Sequence, residues 1–417
     1  MAATIIEKII ASHGSGPASA GDFIWLTLDV RSARDFGGAN VVKSFEQHYK
    51  GEKVDDPART IFTFDCNAPA NTIPYAENQR TCRRFAKEQG IRVYDVDRGI
   101  GSHVLIEEGL VAPGSTVVGT DSHLNIMGAV GAFGQGMGDA DIAYIFRWGR
   151  NWFEVPPTVK VTLKGVPSRH ATARDITFAV MKHFGSSGAL GKVVEVYGHA
   201  IDEMDLAGRI TLASQGTETG AISIIIPPTH AILHELHMVT GRKFEPIAAD
   251  HGAAYEEEIV LDVSGLGSLV AAPPSPANIK EVSELPKTPV DAVFVGSCTN
   301  GRYEDIKAFA DIMRGNRVHP GVNTFVVPAT SQVYGRLLSE GVIADLFKSG
   351  VLVSNPSCAG CASGQIGMTG TGEVMLSTSN RNFKGKQGNG QTYLVSPVTA
   401  ALGAITGHLT STEREGL

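Results

Sequence analysis

Five cysteines are spread over the 417-residue chain, and three of them have a spacing that chemistry can use. Cys298 lies in Gly-Ser-Cys-Thr-Asn-Gly-Arg, and Cys358 and Cys361 form a C-x-x-C pair in Asn-Pro-Ser-Cys-Ala-Gly-Cys-Ala. Together they offer three soft thiolate ligands. A structural zinc site normally closes with four ligands, and a thioredoxin-type pair needs no third thiol. Three thiolates on an iron–sulfur cluster leave one iron without a protein sulfur, open as a Lewis acid to hydroxyl and carboxylate groups. On the pattern alone, zinc and buried inert thiols remain competing readings. The odd count and wide spacing argue against a disulfide framework, and a reducing, cytoplasmic compartment is expected.

These thiols need elements to position them. Apolar runs at 292–295 and 351–353 predict strands, and each cysteine motif follows one of them directly. Ligand crevices of open α/β sheets form beyond the carboxyl ends of parallel strands, so both motifs fall where a site is expected. Upstream, strand-like runs at 60–64, 92–96, 115–119, 160–163 and 192–197 alternate with helical patterns at 78–89 and 173–183. Further helices are predicted at 304–314 and 332–339. Such alternation implies α/β layers. The expected organisation is three α/β/α domains over 1–156, 157–271 and 290–417. The stretch 272–289, rich in proline, reads as an exposed linker. The glycine run 128–138 lacks the spacing of a dinucleotide loop and is expected to be a helix packed closely on its neighbours.

Several ordered motifs then carry a resemblance. They are Asp65-Cys66-Asn67-Ala68-Pro69-Ala70-Asn71-Thr72, Gly119-Thr120-Asp121-Ser122-His123, Glu218 before Thr-Gly-Ala, the two cysteine motifs, Ser379-Asn380-Arg381-Asn382-Phe383 and Val395-Ser396-Pro397. In these the chain resembles the aconitase superfamily, and within it the large subunits of 3-isopropylmalate dehydratase and homoaconitase. The resemblance implies three domains packed around a 4Fe-4S cluster on Cys298, Cys358 and Cys361. It also implies a hydro-lyase that removes water from a hydroxy-polycarboxylate and returns it to the neighbouring carbon. On that basis Asp65, Asp121, Ser122, His123 and Glu218 are the expected catalytic residues. His123 is the expected general acid toward the leaving hydroxyl, since an imidazole exchanges protons readily at neutral pH. Arg381, Lys386, His103 and Cys66 are the expected substrate-binding residues, with Arg381 suited to a carboxylate by its two-pronged fork. Arg302 is a further supporting candidate.

Four positions depart from the family pattern. Its Asp-His pair is Asp65-Cys66 here, its second arginine is Lys386, its Asn-Met is Ser214-Gln215, and its Thr-His-Asp is Ala33-Arg34-Asp35. Arg34 reads equally as an anion contact or a surface ion-pair partner. The resemblance implies a substituted malate such as 3-isopropylmalate as substrate. Because the departures fall at the expected pocket, a substrate differing from 3-isopropylmalate and homocitrate is expected from them, such as another alkyl-, aryl- or dimethylmalate. Homoaconitase is the alternative of the same class. The family's serine base sits in a Gly-Ser-Ser-Arg loop of a swivelling fourth domain. Here Gly-Ser-Ser occurs only at 185–187, so that serine is expected from a separate small subunit.

Composition narrows the remaining classes. The net charge of −7 and the lack of basic–aromatic stretches weigh against nucleic-acid binding, and with it against an iron–sulfur RNA-binding regulator. No run of eighteen apolar residues occurs, so no membrane span is expected. The N-terminal segment lacks the basic start and apolar run of a secretory signal.

Overall fold

The structure is a computed structural model that describes residues 2–361 and 365–416, with Cys361 described in its main chain only. Three parallel sheets dominate. In the first, strands Arg92–Tyr94, Thr60–Thr63, Val30–Arg34, Thr116–Gly119 and Phe133–Gly136 lie side by side in that order. Val30–Arg34, Thr60–Thr63 and Thr116–Gly119 are almost wholly buried, as strands covered on both faces must be. The second sheet orders Ser223–Ile225, Val193–Tyr197, Thr158–Lys164 and Glu257–Asp262, again all parallel.

The third sheet has seven strands. Its parallel centre runs Gln391–Leu394, Val374–Ser377, Ala292–Val295, Asn323–Val326 and Leu352–Val353. Leu269–Ala271 and Ile279–Glu281 extend it as an antiparallel edge. This corrects the linker reading of 272–289. Ile279 and Val282 are buried, while Pro273, Pro274 and Pro276 fall in the turn between the two edge strands, where no ladder N–H is needed. Proline content marked the turn, and the apolar residues either side of it decided that the segment packs.

Most other expected elements appear within a few residues of their predicted bounds, including the helices Ile73–Gln89, Ala173–Phe184, Tyr303–Met313 and Ser331–Ser339. The glycine run differs. It forms the end of a 3-10 helix, Leu124–Val130, and the strand Phe133–Gly136. Close packing is nonetheless its purpose: a Cβ on Gly128 would stand 1.8 Å from the carbonyl oxygen of Ile224. Backbone of the first sheet's layer there lies directly on the second.

The site is held where the layers meet. One apolar cluster contains Val104, Ile126 and Met127 from the first unit, Leu206, Ile210 and Ala213 from the second, and Cys298, Ala329 and Cys358 from the third. Gly99, at φ +96, lies against Ala329, and a Cβ there would come 2.3 Å from its carbonyl oxygen. A left-handed backbone and no room for a side chain both require glycine at that contact.

Candidate active site

Except for Glu218, each expected catalytic residue follows a buried parallel strand, at the carboxyl end of the first sheet. Arg34 ends the strand Val30–Arg34. Asp65 and Cys66 come just after Thr60–Thr63, and Asp121, Ser122 and His123 just after Thr116–Gly119. These three strands are neighbours, so their carboxyl ends converge. Asp121 Oδ1 accepts the N–H of His123 at 3.0 Å, an Asx-type turn that fixes the imidazole at the entry to the following 3-10 helix.

The cysteines are set by strained backbone. Among the described residues, the non-glycine residues with positive φ are Ser297, at +74, and Ala359, at +43. One precedes Cys298 and the other follows Cys358. Such conformations cost of the order of 1–3 kcal/mol each and survive where packing over-determines them. Behind Cys298, His103 donates Nε2–H to its carbonyl oxygen at 3.0 Å. Burial pushes the His103 imidazole down to about 3, so the ring is neutral and its tautomer is fixed by that bond. His103 was expected to line the pocket. It is fully buried and braces the Cys298 loop instead.

A cavity of about 410 Å³ gathers the rest. It is lined by Arg34, Cys66, Ser122, His123, Cys298, Cys358, Arg381 and Lys386, with Phe36 and Phe383 exposed at its mouth. The side chain of Cys361 lies outside the described residues. Its main chain continues the short 3-10 turn that begins at Ala359, beside Cys358.

Glu218 stands just behind the lining. It lies on the 3-10 turn Gly216–Thr219, and its Oε1 is 3.0 Å from His123 Nε2 and 2.6 Å from Arg381 Nε. Burial alone would raise its carboxyl, but the His123 hydrogen bond and the Arg381 charge outweigh it and hold Glu218 below the usual carboxylate range. Thr217 Oγ1 bonds the Ser122 carbonyl at 3.0 Å and ties this turn to the Asp-Ser-His loop. The Arg381 turn is pinned from behind by Arg174, whose Nη2 donates to the Ser379 carbonyl at 2.6 Å, and by Asn382, which donates to the Ala271 carbonyl.

Arg34 is the residue whose place the sequence left open. Its Nε donates to Asp65 Oδ1 at 2.7 Å, its Nη1 to Asp121 Oδ1 at 3.0 Å, and its Nη2 to Cys358 Sγ at 2.9 Å. Burial opposes its charge, yet Asp121, Asp65 and Cys358 raise it well above an ordinary guanidinium, so it is always charged. The two carboxylates respond differently. Burial dominates at Asp65 and pushes it up to about 6 despite Arg34, whereas at Asp121 burial is outweighed by Arg34 and His123 and the group is held low. The sequence signal that would have placed Arg34 was its position at a strand's carboxyl end beside Asp65.

Cys66, in place of the family histidine, is buried and lines the cavity, with its thiol 3.4 Å from Asp65 Oδ1. Burial pushes that thiol well above its ordinary value, so it is a neutral donor. Arg302 pairs with the buried Glu107 at 3.4 Å, which also accepts from Thr330.

The aconitase family (aconitate hydratase) model matches residues 7–289 and 278–407. This chain belongs to the aconitase family. It is 39% identical over 413 residues to the 3-isopropylmalate dehydratase large subunit 1 of Methanopyrus kandleri, covering 98% of this chain and 99% of that protein. It is 37% identical over 416 residues to a probable methanogen homoaconitase large subunit of Methanothermobacter thermautotrophicus, covering 98% and 97%. Among solved structures, aconitase X of Thermococcus kodakaraensis matches with a TM-score of 0.48 at 13% identity, over 84% of this chain and 83% of that one. The family's enzymes are hydro-lyases and generally use a 4Fe-4S cluster. The donor set here fits such a group: two buried sulfurs face one cavity, each held by a left-handed neighbour, with guanidinium and imidazole groups on the facing walls. No described helix is long and apolar enough to cross a membrane.

Proposed function

We propose that this chain is the iron–sulfur large subunit of a two-component hydro-lyase that moves a hydroxyl between adjacent carbons of a malate carrying an apolar substituent, of the 3-isopropylmalate type. The observation that carries the reading is a single cavity. Cys298 and Cys358, His123 with Glu218 bonded just behind it, the cations Arg381 and Lys386, and the exposed rings of Phe36 and Phe383 meet at it. Cys298, Cys358 and Cys361 would hold the cluster. When bound, it supplies a Lewis-acidic iron that weakens the substrate's carbon–oxygen bond.

The chain's own groups do the rest. Arg381 clamps a substrate carboxylate, with its orientation fixed by the Glu218 carboxylate at its Nε. Lys386 adds a second positive charge at the cavity wall. His123 gives a proton to the departing hydroxyl, and Glu218 orients the ring and stabilises the charged imidazole between transfers. Asp121, ionised, and Asp65, with its higher proton affinity, flank the same corner through Arg34. Ser122 Oγ lies beside both His123 Nδ1 and Arg381 Nη1, at 3.5 Å from each, and supplies a hydroxyl for the second carboxylate or the hydroxyl. The apolar substituent lies along Phe36 and Phe383, where each ring is half-exposed or more and has apolar surface to lose.

The base that removes the carbon-bound proton comes from a small subunit. In support, the relatives named large subunits align with this chain nearly end to end, and its Gly185-Ser186-Ser187 lies on an exposed turn after the helix Ala173–Phe184. The decisive experiment reconstitutes the chain anaerobically, adds the cognate small subunit, and measures turnover of a panel. The panel holds 3-isopropylmalate, methyl-, dimethyl- and phenyl-substituted malates, and homocitrate. Activity that needs both subunits and favours an apolar substituent is expected. Preference for homocitrate would assign the homoaconitase reaction, and full activity without the second subunit would overturn the two-component reading.

A further inference from the structure

Arg34 has no assigned part in the chemistry above, yet it is among the most constrained charges in the molecule. Its side chain is 14% exposed, and each of its three nitrogens meets a different acceptor. Those acceptors come from three separate loops. We propose that Arg34 is a positioning residue for the thiolate-held cluster: it fixes the Cys358 sulfur and, by donating a charged N–H to it, raises the cluster's reduction potential. The inference rests on the reading that Cys298, Cys358 and Cys361 hold that cluster.

Three observations separate this role from simple neutralisation of Asp65 and Asp121. First, two carboxylates occupy only Nε and Nη1, and the bond from Nη2 to Cys358 Sγ at 2.9 Å is additional to them. Second, the Cys358 loop is already tied to the first unit by its own N–H, which donates to the Asp65 carbonyl at 2.9 Å. The contact at sulfur is therefore not needed to dock the loop. Third, the planar fork held on two edges by carboxylates cannot rotate, so the third N–H points at the sulfur by construction. A lysine would offer charge without that direction.

The physical effect follows from charge. An electron added to a cluster spreads onto its sulfurs, and hydrogen bonds and positive charge at those sulfurs stabilise the reduced form. In so buried a place solvent screens the interaction weakly. With Arg34 gone, the cluster would face Asp65 and Asp121 without the cation between them, and reduction would become harder.

The test uses the full-length chain with Arg34→Gln and Arg34→Lys, reconstituted anaerobically. Iron and sulfide per chain are measured, and the midpoint potential is followed by visible absorption and electron paramagnetic resonance. Arg34→Gln is expected to retain iron and to shift the potential downward by about 59 mV, a tenfold change in the reduced-to-oxidised ratio for one electron. Arg34→Lys is expected to shift it in the same direction by less. An iron-loaded Arg34→Gln chain with the wild-type potential would overturn the proposal. If Arg34→Gln does not fold, the comparison of Arg34→Gln/Asp121→Asn with Asp121→Asn alone decides it, since losing one carboxylate relieves the unpaired charge; an unchanged potential there overturns the proposal equally. A wild-type chain that binds no iron would instead remove the cluster reading itself, and this proposal with it.

Discussion

Glu218 Oε1 lies 3.0 Å from Nε2 of His123, and the same oxygen accepts Nε–H of Arg381 at 2.6 Å. A single buried carboxylate oxygen therefore orients both the proton donor and the carboxylate clamp. It requires the imidazole hydrogen on Nε2, and it couples proton transfer to substrate binding through one atom.

Glu218→Gln keeps the shape and removes the charge. It is expected to lower kcat by about 100-fold or more, the scale of a disabled general acid–base group, while iron content stays at the wild-type level. Steady-state kinetics beside iron analysis would check this. Unchanged kcat would mean that His123 does not depend on the carboxylate.

Cys298→Ser and Cys358→Ser are each expected to lose iron and the broad visible absorption that thiolate–iron charge transfer gives at roughly 400 nm. Cys82→Ser should keep both. Cys82 is buried in the first unit's core, away from the cavity, and burial pushes its thiol up to about 12. Iron retained in the first two variants would sink the ligand assignment.

Gly128→Ala must force a Cβ into the Ile224 carbonyl, with a backbone oxygen on the far side that cannot swing away. A loss of more than about 2 kcal/mol is expected, as for other overpacked buried sites. Gly335→Ala is the opposite case: the site lies inside the helix Ser331–Ser339 with open space around it, and a gain of about 0.5–1 kcal/mol is expected. Urea unfolding of both variants reads the contrast.

His13 and Asp29 form a half-buried pair at 2.6 Å. The Asp29 hydrogen bond raises His13 above its ordinary 6.5, and although burial works against it, the His13 bond helps hold Asp29 below its ordinary 3.8. The raised imidazole contributes stability that is complete below 6.5 and lost as pH rises through the folded value. The lowered carboxyl contributes stability that is complete above 3.8 and lost as pH falls through its folded value. The pair thus stabilises most between pH 3.8 and 6.5. His13→Gln should lower stability by about 1 kcal/mol at pH 5.5 and by nothing measurable at pH 9. Equal losses at both pH values would contradict the pairing.

Much of this was legible in the sequence, because strand ends are local. Apolar runs at 60–64, 115–119 and 292–295 told where parallel strands stop. The crevice rule then placed Cys298 beyond one carboxyl end, and the family resemblance singled out Asp65 and Asp121 just after the other two. The proline-rich stretch misled because proline reports a missing donor, not exposure. Whether Ile279 is buried depends on distant residues, Phe178 and Met181 of the helix Ala173–Phe184 and Leu394, which share its apolar cluster.

By itself, the sequence determined the alternation of strand and helix and the ordered motifs that carry the family resemblance. Through them it marked three cysteines and a set of acid–base residues as candidates, since each is a matter of residue identity and local pattern. Only the tertiary structure decided the pairings. His103 turned out to brace Cys298 from behind, Glu218 to reach both His123 and Arg381, and Arg34 to join Asp65, Asp121 and Cys358. The reason is distance along the chain. Arg34 and Cys358 are 324 residues apart, and no local pattern encodes which side chains meet when separate layers pack together.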